Sequence, residues 1–307
     1  MKEKLLLEIA QVERMANASR WGRFLHSPLK YLSAVVLRKL LYKWRRMSAR
    51  VDTKLFFGKT MTVLLPSATD IYLTGGKSHE SEIRLAKFMI RQLKPGDHFL
   101  DVGAHFGYFT LLAERLVGKD GLVYSFEPST ESYSILHQNS NDRPTIKIFG
   151  NALSDRVECI RFHEFPNLYS EYNTSDIEQF KNQPWLSSFP PVIKEVEANT
   201  IDNLTMDGQF KPFLIKIDVE GSEFKVVLGG KNYLNQYSPL ISLEYLEENR
   251  HNHSHKLAVD LLRSMGYQSY SIDDDGQLQP VSNLDQYLSA KGIESDNIIF
   301  RRGEFSS

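Results

Sequence analysis

The chain has 307 residues, of which 41% are hydrophobic and 24% charged, with 18 glycines and 12 prolines. This composition is ordinary for a globular protein and excludes a disordered, collagen-like or fibrous chain. The single cysteine, Cys159, excludes an internal disulfide framework and a cysteine-rich zinc module. No stretch approaches the roughly 18 consecutive apolar residues of a membrane-spanning helix. We therefore expect a cytoplasmic protein.

The near-neutral net charge of −1 conceals a basic leader in front of an acidic body. Residues 1–50 hold 12 Lys or Arg against 3 Asp or Glu, a balance of +9, and the remaining 257 residues carry −10. Residues 29–46 have apolar side chains at helical spacing along one arc, which holds Leu29, Val36, Leu37, Leu40 and Trp44. Packing against the body and peripheral contact with an anionic membrane both fit this pattern. We do not expect nucleic-acid binding, because the acidic body would repel a phosphate backbone.

The pattern changes twice after the leader. Short β-rich runs divided by Gly58 and Pro66 predict a small β element over residues 51–79. Residues 80–307 then alternate between short apolar runs, typical of buried strands, and segments with helical spacing. This order predicts an α/β protein with right-handed crossovers, a mostly parallel sheet and helices on both of its faces. Ligands on such sheets bind beyond the carboxyl ends of the strands.

Two segments at predicted strand ends indicate an adenosine-containing cofactor. The first is DVGAHFG at residues 101–107, between a predicted strand and a predicted helix. Gly103 permits a tight turn with close backbone approach to a ligand, and Gly107 lets the helix begin close to the sheet. Glu127 ends the next predicted strand, 24 residues after Gly103. A carboxylate at that position accepts hydrogen bonds from the two hydroxyls of a ribose.

The same glycine loop indicates which cofactor. A dinucleotide fold requires the pattern GxGxxG, but His105 stands where a pyrophosphate needs close backbone approach. A P-loop sequence is absent as well. A methyl donor without phosphates removes that requirement, which favours S-adenosylmethionine. An NAD-linked oxidoreductase on a similar sheet is one alternative, and a non-catalytic binding module recruited to a membrane by the basic leader is another.

A third segment, IKIDVEG at residues 215–221, brings two carboxylates to the end of a later strand. Asp218 and Glu220 should face the cleft, hold the cationic end of the donor and accept a proton from a substrate hydroxyl. If they lie close together, repulsion should raise the pKa of one of them, which suits a general base. No set of metal ligands is predicted. Binding of a divalent ion such as magnesium by the same pair is kept as an alternative.

Several segments of the chain resemble the FkbM family of S-adenosylmethionine-dependent methyltransferases. The resemblance covers residues 80–300, and its most distinctive string is KIDVEG at residues 216–221. The other matching segments are residues 101–107, 126–128, 151–155, 200–204 and 241–244. The resemblance implies a Rossmann-like class I methyltransferase with a seven-stranded, mostly parallel sheet and an antiparallel last strand. It also implies methyl transfer to a hydroxyl oxygen of a sugar, glycan or other small-molecule acceptor.

The resemblance also implies roles for individual residues. The expected cofactor contacts are Asp101, Gly103, Ala104, His105, Gly107, Glu127, Asn151 and Ala152. Among them, the glycine loop should lie near the methionine end of the donor, Glu127 should hold the ribose, and Asn151 should lie beside the adenine. The expected catalytic carboxylates are Asp218 and Glu220.

Residues 163–196 are interpreted as an insertion between strands. Its aromatic residues alternate with polar ones, which suits a sugar whose faces stack on rings while its hydroxyls meet polar groups. An insertion at this edge of the cleft is also where a substrate lid would lie. The alternative is a surface excursion whose aromatic residues fill a small core of their own. The expected substrate contacts are Tyr169, Glu171, Tyr172, Asn173 and, from a later strand, Glu244. The oligomeric state is left open.

Overall fold

The computed structural model describes residues 1–37, 48–181 and 183–303 of the chain. The predicted leader positions Leu40 and Trp44 lie outside the described residues. Within the described ranges, no helix combines the length and the apolar character that crossing a membrane requires.

Helices and strands alternate along most of the described chain. The α-helices are α1 (Lys2–Ala16), α2 (Arg20–His26), α3 (Pro28–Val36), α4 (Thr69–Thr74), α5 (Glu80–Gln92), α6 (Tyr108–Val117), α7 (Thr130–Ser140), α8 (Ile201–Thr205), α9 (Glu223–Leu228), α10 (Lys231–Tyr237), α11 (His253–Ser264) and α12 (Leu284–Lys291). The β-strands are β1 (Ala49–Lys54), β2 (Thr60–Leu65), β3 (His98–Val102), β4 (Leu122–Phe126), β5 (Ile146–Phe149), β6 (Ala152–Leu153), β7 (Glu158–Glu164), β8 (Val192–Asn199), β9 (Pro212–Ile217), β10 (Leu240–Leu246), β11 (Gln268–Ile272), β12 (Leu278–Pro280) and β13 (Ser295–Arg301).

The main sheet joins eight strands of the described residues in the order β12-β11-β13-β10-β9-β3-β4-β5. Neighbouring strands from β10 to β5 run parallel, whereas β13 is antiparallel to both β10 and β11. The predicted mostly parallel sheet with an antiparallel last strand is therefore confirmed. The eighth strand is the short β12, which pairs with β11 at the edge. The strand order reverses between β3 and β9, so ligands are expected in the crevice at their carboxyl ends.

Each face of the sheet supports its own hydrophobic core, because successive residues of a strand point to opposite faces. Phe99 and Leu214 enter the core that α1, α5 and α6 share. Their chain neighbours Leu100 and Ile215 enter the opposite core, which α9 to α12 share. Helices therefore cover both faces, as predicted. The first leader helix joins the body through three buried residues, Leu5, Ile9 and Val12.

Two predicted elements differ from the structure. Residues 70–73, part of the small β element expected over residues 51–79, lie in α4, because four residues are too few to distinguish a strand period from a helical one. Residues 223–234, one of the segments with helical spacing, are divided into α9 and α10 at Gly229 and Gly230. A Cβ on Gly229 would lie 2.0 Å from the carbonyl oxygen of Ser154, so the chain passes close to a neighbouring backbone at this break.

The predicted insertion is carried by a second, smaller sheet. Strands β6, β8 and β7 form this sheet, and β7 pairs with β8 in antiparallel register. Residues 165–191, which we name the insertion loop, leave the sheet after β7 and return at β8. The aromatic rings of the loop pack on one another, with centroids 4.3 Å apart for Tyr169 and Trp185 and 5.6 Å apart for Phe165 and Phe180.

Candidate active site

A cavity of about 990 Å³ lies at the carboxyl ends of the central parallel strands. Its floor contains Gly103, Glu127 and Asp218, which directly follow β3, β4 and β9, and Glu244, which lies in the second half of β10. Its wall comes from the segment around α4 and α5 and from the insertion loop. This volume lies at the upper end of the range for small-molecule sites, so a donor and a small acceptor fit side by side.

The glycine loop packs against the end of β9 with no room for a side chain. Gly103 has a φ of +82°, and a Cβ there would lie 1.8 Å from the carbonyl oxygen of Asp218. Gly107 has a φ of +91°, and its Cβ would lie 2.7 Å from Leu136. Both positions therefore require glycine for the backbone conformation and for the close approach. At Gly103 the approaching group is the protein's own backbone.

A row of buried polar side chains crosses the sheet beneath this loop. Ser125, Asp101, Lys216 and Ser242 are neighbours on adjacent strands, and none is more than 3% exposed. Lys216 Nζ lies 3.7 Å from Asp101 Oδ1 and donates a hydrogen bond of 3.3 Å to the carbonyl oxygen of Gly103. One ammonium group thus supports both the strand that enters the glycine loop and the loop itself.

Lys216 also controls the charge of the carboxylate that follows its own strand. Its Nζ lies 3.1 Å from Asp218 Oδ2. Burial acts to raise the pKa of Asp218, but the charge and hydrogen bond of Lys216, together with the more distant Lys77, hold that pKa below its usual range. Asp218 is therefore ionised at neutral pH.

Asp218, Glu220 and Glu244 form a carboxylate group in the described part of the cleft, with one oxygen of each within 4.8 Å of the others. Burial raises the pKa of Glu220 well above its usual range, and the neighbouring Glu244 and Asp218 raise it further. Burial likewise raises the pKa of Glu244 to about 8. An ionised carboxylate beside two carboxyls of higher proton affinity suits proton transfer. The same spacing would let a divalent cation contact all three.

A buried glutamate fixes the turn that carries these carboxylates. Glu220 has a φ of +53° and Gly221 a φ of +104°, so the chain turns sharply after β9. Glu223 Oε1 accepts hydrogen bonds from the backbone N–H groups of Val219 and Gly221. The other carboxylate oxygen of Glu223 lies 3.3 Å from His255 Nε2, and both side chains are buried. The turn is therefore held from beneath by residues outside the cleft.

Glu127 borders the cavity at the end of β4 with 5% of its surface exposed. Its Oε2 accepts a hydrogen bond of 2.8 Å from the His105 N–H, and its Oε1 accepts one of 2.9 Å from the Ser129 N–H. Burial raises the pKa of Glu127 to about 7 in spite of these two bonds. Each carboxylate oxygen has a second lone pair, so both can accept a further hydrogen bond from a ligand hydroxyl.

His105 connects the glycine loop to the insertion loop. Its Nε2 lies 3.0 Å from Ser170 Oγ, and its ring stacks on Phe106 with centroids 3.7 Å apart. Burial lowers the pKa of His105 to about 4, so the ring is neutral at neutral pH. His105 therefore joins the floor of the cleft to its wall, and its contact with a ligand stays a prediction.

Lys77 is a cleft residue that the sequence pattern does not predict. Its Nζ lies 2.8 Å from Glu82 Oε1 and 3.2 Å from Glu171 Oε1, so it joins the start of α5 to the insertion loop. Burial acts to lower the pKa of Lys77, but the two carboxylates outweigh it and raise the pKa. Other cleft residues missed in the same way are Asp70, Arg84, Ser295 and Asn297.

The structure brings most, but not all, of the expected contacts to the cavity. Those that border it are Gly103, His105, Glu127, Ala152, Glu171, Tyr172, Asn173, Asp218, Glu220 and Glu244. The expected contacts Asp101, Ala104, Gly107, Asn151 and Tyr169 do not border it.

Three of the five residues outside the lining have partners elsewhere. Asp101 lies in the buried row and accepts a hydrogen bond of 2.7 Å from Thr110. Asn151 donates a hydrogen bond of 3.1 Å to Glu197 on β8. Tyr169 stacks on Trp185 inside the insertion loop. These three side chains support the segments around the cleft.

The strand order, the reversed last strand and the glycine turn beside a strand-end glutamate define a methyltransferase of Rossmann-like fold. Residues 101–269 match the methyltransferase FkbM domain, so the chain belongs to that family. A relative from Streptomyces tacrolimicus, the 31-O-demethyl-FK506 methyltransferase FkbM, is 27% identical over 164 residues. The matched part is 45% of this chain and 61% of that relative, so it spans about three fifths of the relative's length.

Three solved structures of methyltransferases and related proteins are similar at low identity. The FkbM methyltransferase of Methylobacillus flagellatus KT is 13% identical, with 76% of this chain and 52% of that chain covered and a TM-score of 0.40. An S-adenosylmethionine-dependent O-methyltransferase from Thermotoga maritima is 12% identical, with 84% and 79% covered and a TM-score of 0.38. Aeropyrum pernix fibrillarin, solved with natively bound S-adenosyl-L-methionine, is 14% identical, with 71% and 74% covered and a TM-score of 0.38.

Proposed function

We propose that this chain transfers the methyl group of S-adenosylmethionine to a hydroxyl oxygen of a sugar, glycan or other small-molecule acceptor. The observation that carries the proposal is one cavity that holds Glu127 and the Asp218, Glu220 and Glu244 carboxylates around the Gly103 turn. Membership of the FkbM family supports the methyl donor. The name of the Streptomyces relative gives a substrate that lacks a methyl group on an oxygen, which supports a hydroxyl as the acceptor.

The residues of the cavity fit this donor better than a dinucleotide. Glu127 has free lone pairs beside the glycine turn, where ribose hydroxyls would donate to it. The backbone N–H of His105 already donates to Glu127, so it is not free to bind a phosphate oxygen, as a dinucleotide would require. This hydrogen bond argues against the NAD-linked alternative.

When bound, S-adenosylmethionine supplies an electrophilic methyl carbon on its sulfur. The chain's own residues hold the acceptor and remove its proton. Asp218, kept ionised by Lys216, accepts a hydrogen bond from the acceptor hydroxyl and orients it. The proton released from that hydroxyl is taken up by Asp218, the member of the group whose lowered pKa keeps it ionised at neutral pH. Most of the rate enhancement should come from holding two reactants in line in a water-poor cleft.

Isothermal titration calorimetry of the full chain with S-adenosylmethionine tests the donor, and thermal-shift assays compare it with NAD. We expect binding of the methyl donor, a loss of that binding in Glu127→Ala and no stabilisation by NAD. A screen of sugars and small hydroxyl compounds for methyl transfer tests the acceptor class. Asp218→Asn should keep donor binding and lose turnover. Absence of donor binding, or a larger thermal shift with NAD, would overturn the proposal.

A further inference from the structure

The basic leader presents large apolar side chains that the rest of the described chain leaves uncovered. Trp21 and Leu25 of α2 are 74% and 73% exposed, and Leu29 and Leu32 of α3 are 84% and 51% exposed. Val36 of α3 is also exposed, and within each of the two helices these residues lie three or four positions apart, which is helical spacing. We name these five residues the leader surface. Exposed apolar residues concentrated in one segment mark a binding surface, whereas scattered single ones do not.

The inner side of the same segment is attached to the body. Lys30 Nζ donates hydrogen bonds to Thr53 Oγ1 and to the carbonyl oxygen of Tyr72. The Ser33 and Tyr72 hydroxyls lie 3.2 Å apart, and Ala34 is buried. Helix α3 therefore has one side fixed on β1 and α4, while its leucines point away from these contacts into solvent. The exposure of Leu29, Leu32 and Val36 is therefore a feature of α3 as it packs on the body.

The charge of this segment has one sign. Residues 14–51 contain ten Lys or Arg and no Asp or Glu. Among the described ones, Arg14 and Arg20 are exposed close to the leader surface in sequence. A cationic segment with exposed Trp and Leu is complementary to an interface that is both anionic and apolar.

We propose that the leader surface docks onto an anionic lipid bilayer. Trp21 and the leucines would enter the boundary between headgroups and acyl chains, and the arginines would meet lipid phosphates. A nucleic acid would satisfy the charge but leaves the apolar side chains without a partner. Asn17 lies two residues before the N-cap residue of α2 and borders the cavity of the candidate active site. Docking of the leader surface would therefore place the cleft close to the membrane. The proposal stands on exposure and charge, independently of the proposed methyl transfer.

Co-sedimentation of the full chain with vesicles tests the proposal. One set of vesicles contains phosphatidylcholine alone, and the other contains about one third phosphatidylglycerol. We expect binding to the anionic vesicles, weakened by salt, and little binding to the neutral ones. The double variant Leu25→Glu and Leu29→Glu should bind at least about tenfold more weakly, because it places charge where the leader surface enters the lipid.

A matched control is the double variant Val157→Glu and Met206→Glu, which changes two exposed apolar residues of the body. It should bind vesicles as the unchanged chain does, and both variants should melt at the same temperature as that chain. Equal binding by the two double variants would overturn the proposal. So would preferential binding to RNA over anionic vesicles, or a dimer in lipid-free solution that the leader variant dissociates.

Discussion

The floor and the wall of the cleft are built in different ways. In the floor, backbone lies against backbone, since a Cβ on Gly103 would have no space beside the Asp218 carbonyl, and Lys216 on β9 pairs with Asp101 on the adjacent β3. In the wall, His105–Ser170 and the ion pair of Lys77 with the insertion loop join segments far apart in sequence. Adjacent strands of a packed sheet hold their spacing, whereas single side-chain contacts near solvent contribute little each. We therefore expect the floor to fix the donor and the wall to adjust to the acceptor.

The largest effect is expected from Gly103→Ala. The added Cβ would lie 1.8 Å from the Asp218 carbonyl oxygen, so β3 or β9 must move. We expect a loss of more than about 4 kcal/mol in the free energy of unfolding, which is exceptional for a single substitution. Urea denaturation measures this loss, and calorimetry should show that donor binding disappears with it.

Gly58→Ala is the matched control for this substitution. Gly58 has nearly the same φ, +84°, but nothing lies within 4 Å of its added Cβ. It tests backbone strain alone, worth about 1–2 kcal/mol. Equal losses in the two variants would mean that close packing of the floor is not what Gly103 provides.

Lys216→Met should have the next largest effect. Removing one partner of a buried ion pair costs about 3–5 kcal/mol. The pKa of Asp218 should rise, because Lys216 is the main group that lowers it. A lowered folded-state pKa contributes stability that is complete above the unfolded value of 3.8 and is lost as the pH falls through the folded value, so the loss caused by Lys216→Met should shrink once the pH falls below 3.8.

Urea denaturation at neutral and acid pH measures how the loss in the free energy of unfolding changes with pH. The pH profile of methyl transfer should shift to higher pH in Lys216→Met. The control is Lys225→Met, which changes an exposed lysine on α9. A loss in Lys216→Met that does not vary with pH would indicate that the side chain acts by packing and not by charge.

The floor could be predicted from the sequence because its residues follow strands. Gly103, Glu127 and Asp218 each come directly after an apolar run, and the carboxyl ends of parallel strands meet at one edge. Asp101 shows where this reasoning stops. Asp101 is the second-last residue of β3 and pairs with Lys216 on β9. Its side chain therefore lies in the buried row of polar residues beneath the glycine loop.

The wall could not be predicted because its partners share no pattern. Lys77 precedes α5 and reaches a carboxylate 94 residues away on the insertion loop. No periodicity or motif relates these positions, and only the folded chain brings them together. Tyr169 was expected to face a sugar, but ring packing within the insertion loop turns it towards Trp185. Spacing in sequence does not distinguish a ring that binds a ligand from one that fills a small core.

A smaller effect is expected from the titration of Glu127, which lies between floor and wall. Burial raises its pKa from 4.5 to about 7. Because the ionised form accepts both ribose hydroxyls, donor affinity should fall by up to about tenfold per pH unit below 7. Calorimetry across pH 6 to 8 measures this fall in donor affinity.

The control is Glu127→Gln, which should bind the donor more weakly and without pH dependence. Donor binding by this variant that still depends on pH would assign the titration to another group. Because the folded-state pKa of Glu127 is raised, its ionised form destabilises the fold at pH values above that pKa. Glu127→Gln should therefore lose no stability at pH 8.

The smallest effect is expected from Ser170→Ala, which removes the hydrogen bond between the insertion loop and His105. A single bond to a neutral ring is worth about 1 kcal/mol. Donor affinity should stay within about twofold while the KM for an acceptor found in the screen rises several-fold, since the loop is held less firmly. The control is Ser187→Ala, which changes an exposed serine of the same loop and should change neither the donor affinity nor the KM.

Because burial lowers the pKa of His105 to about 4, the rise in KM of Ser170→Ala should be the same from pH 6 to 8. A rise confined to the acid end of that range would mean that a charged imidazole holds the loop, and the wall would then respond to pH.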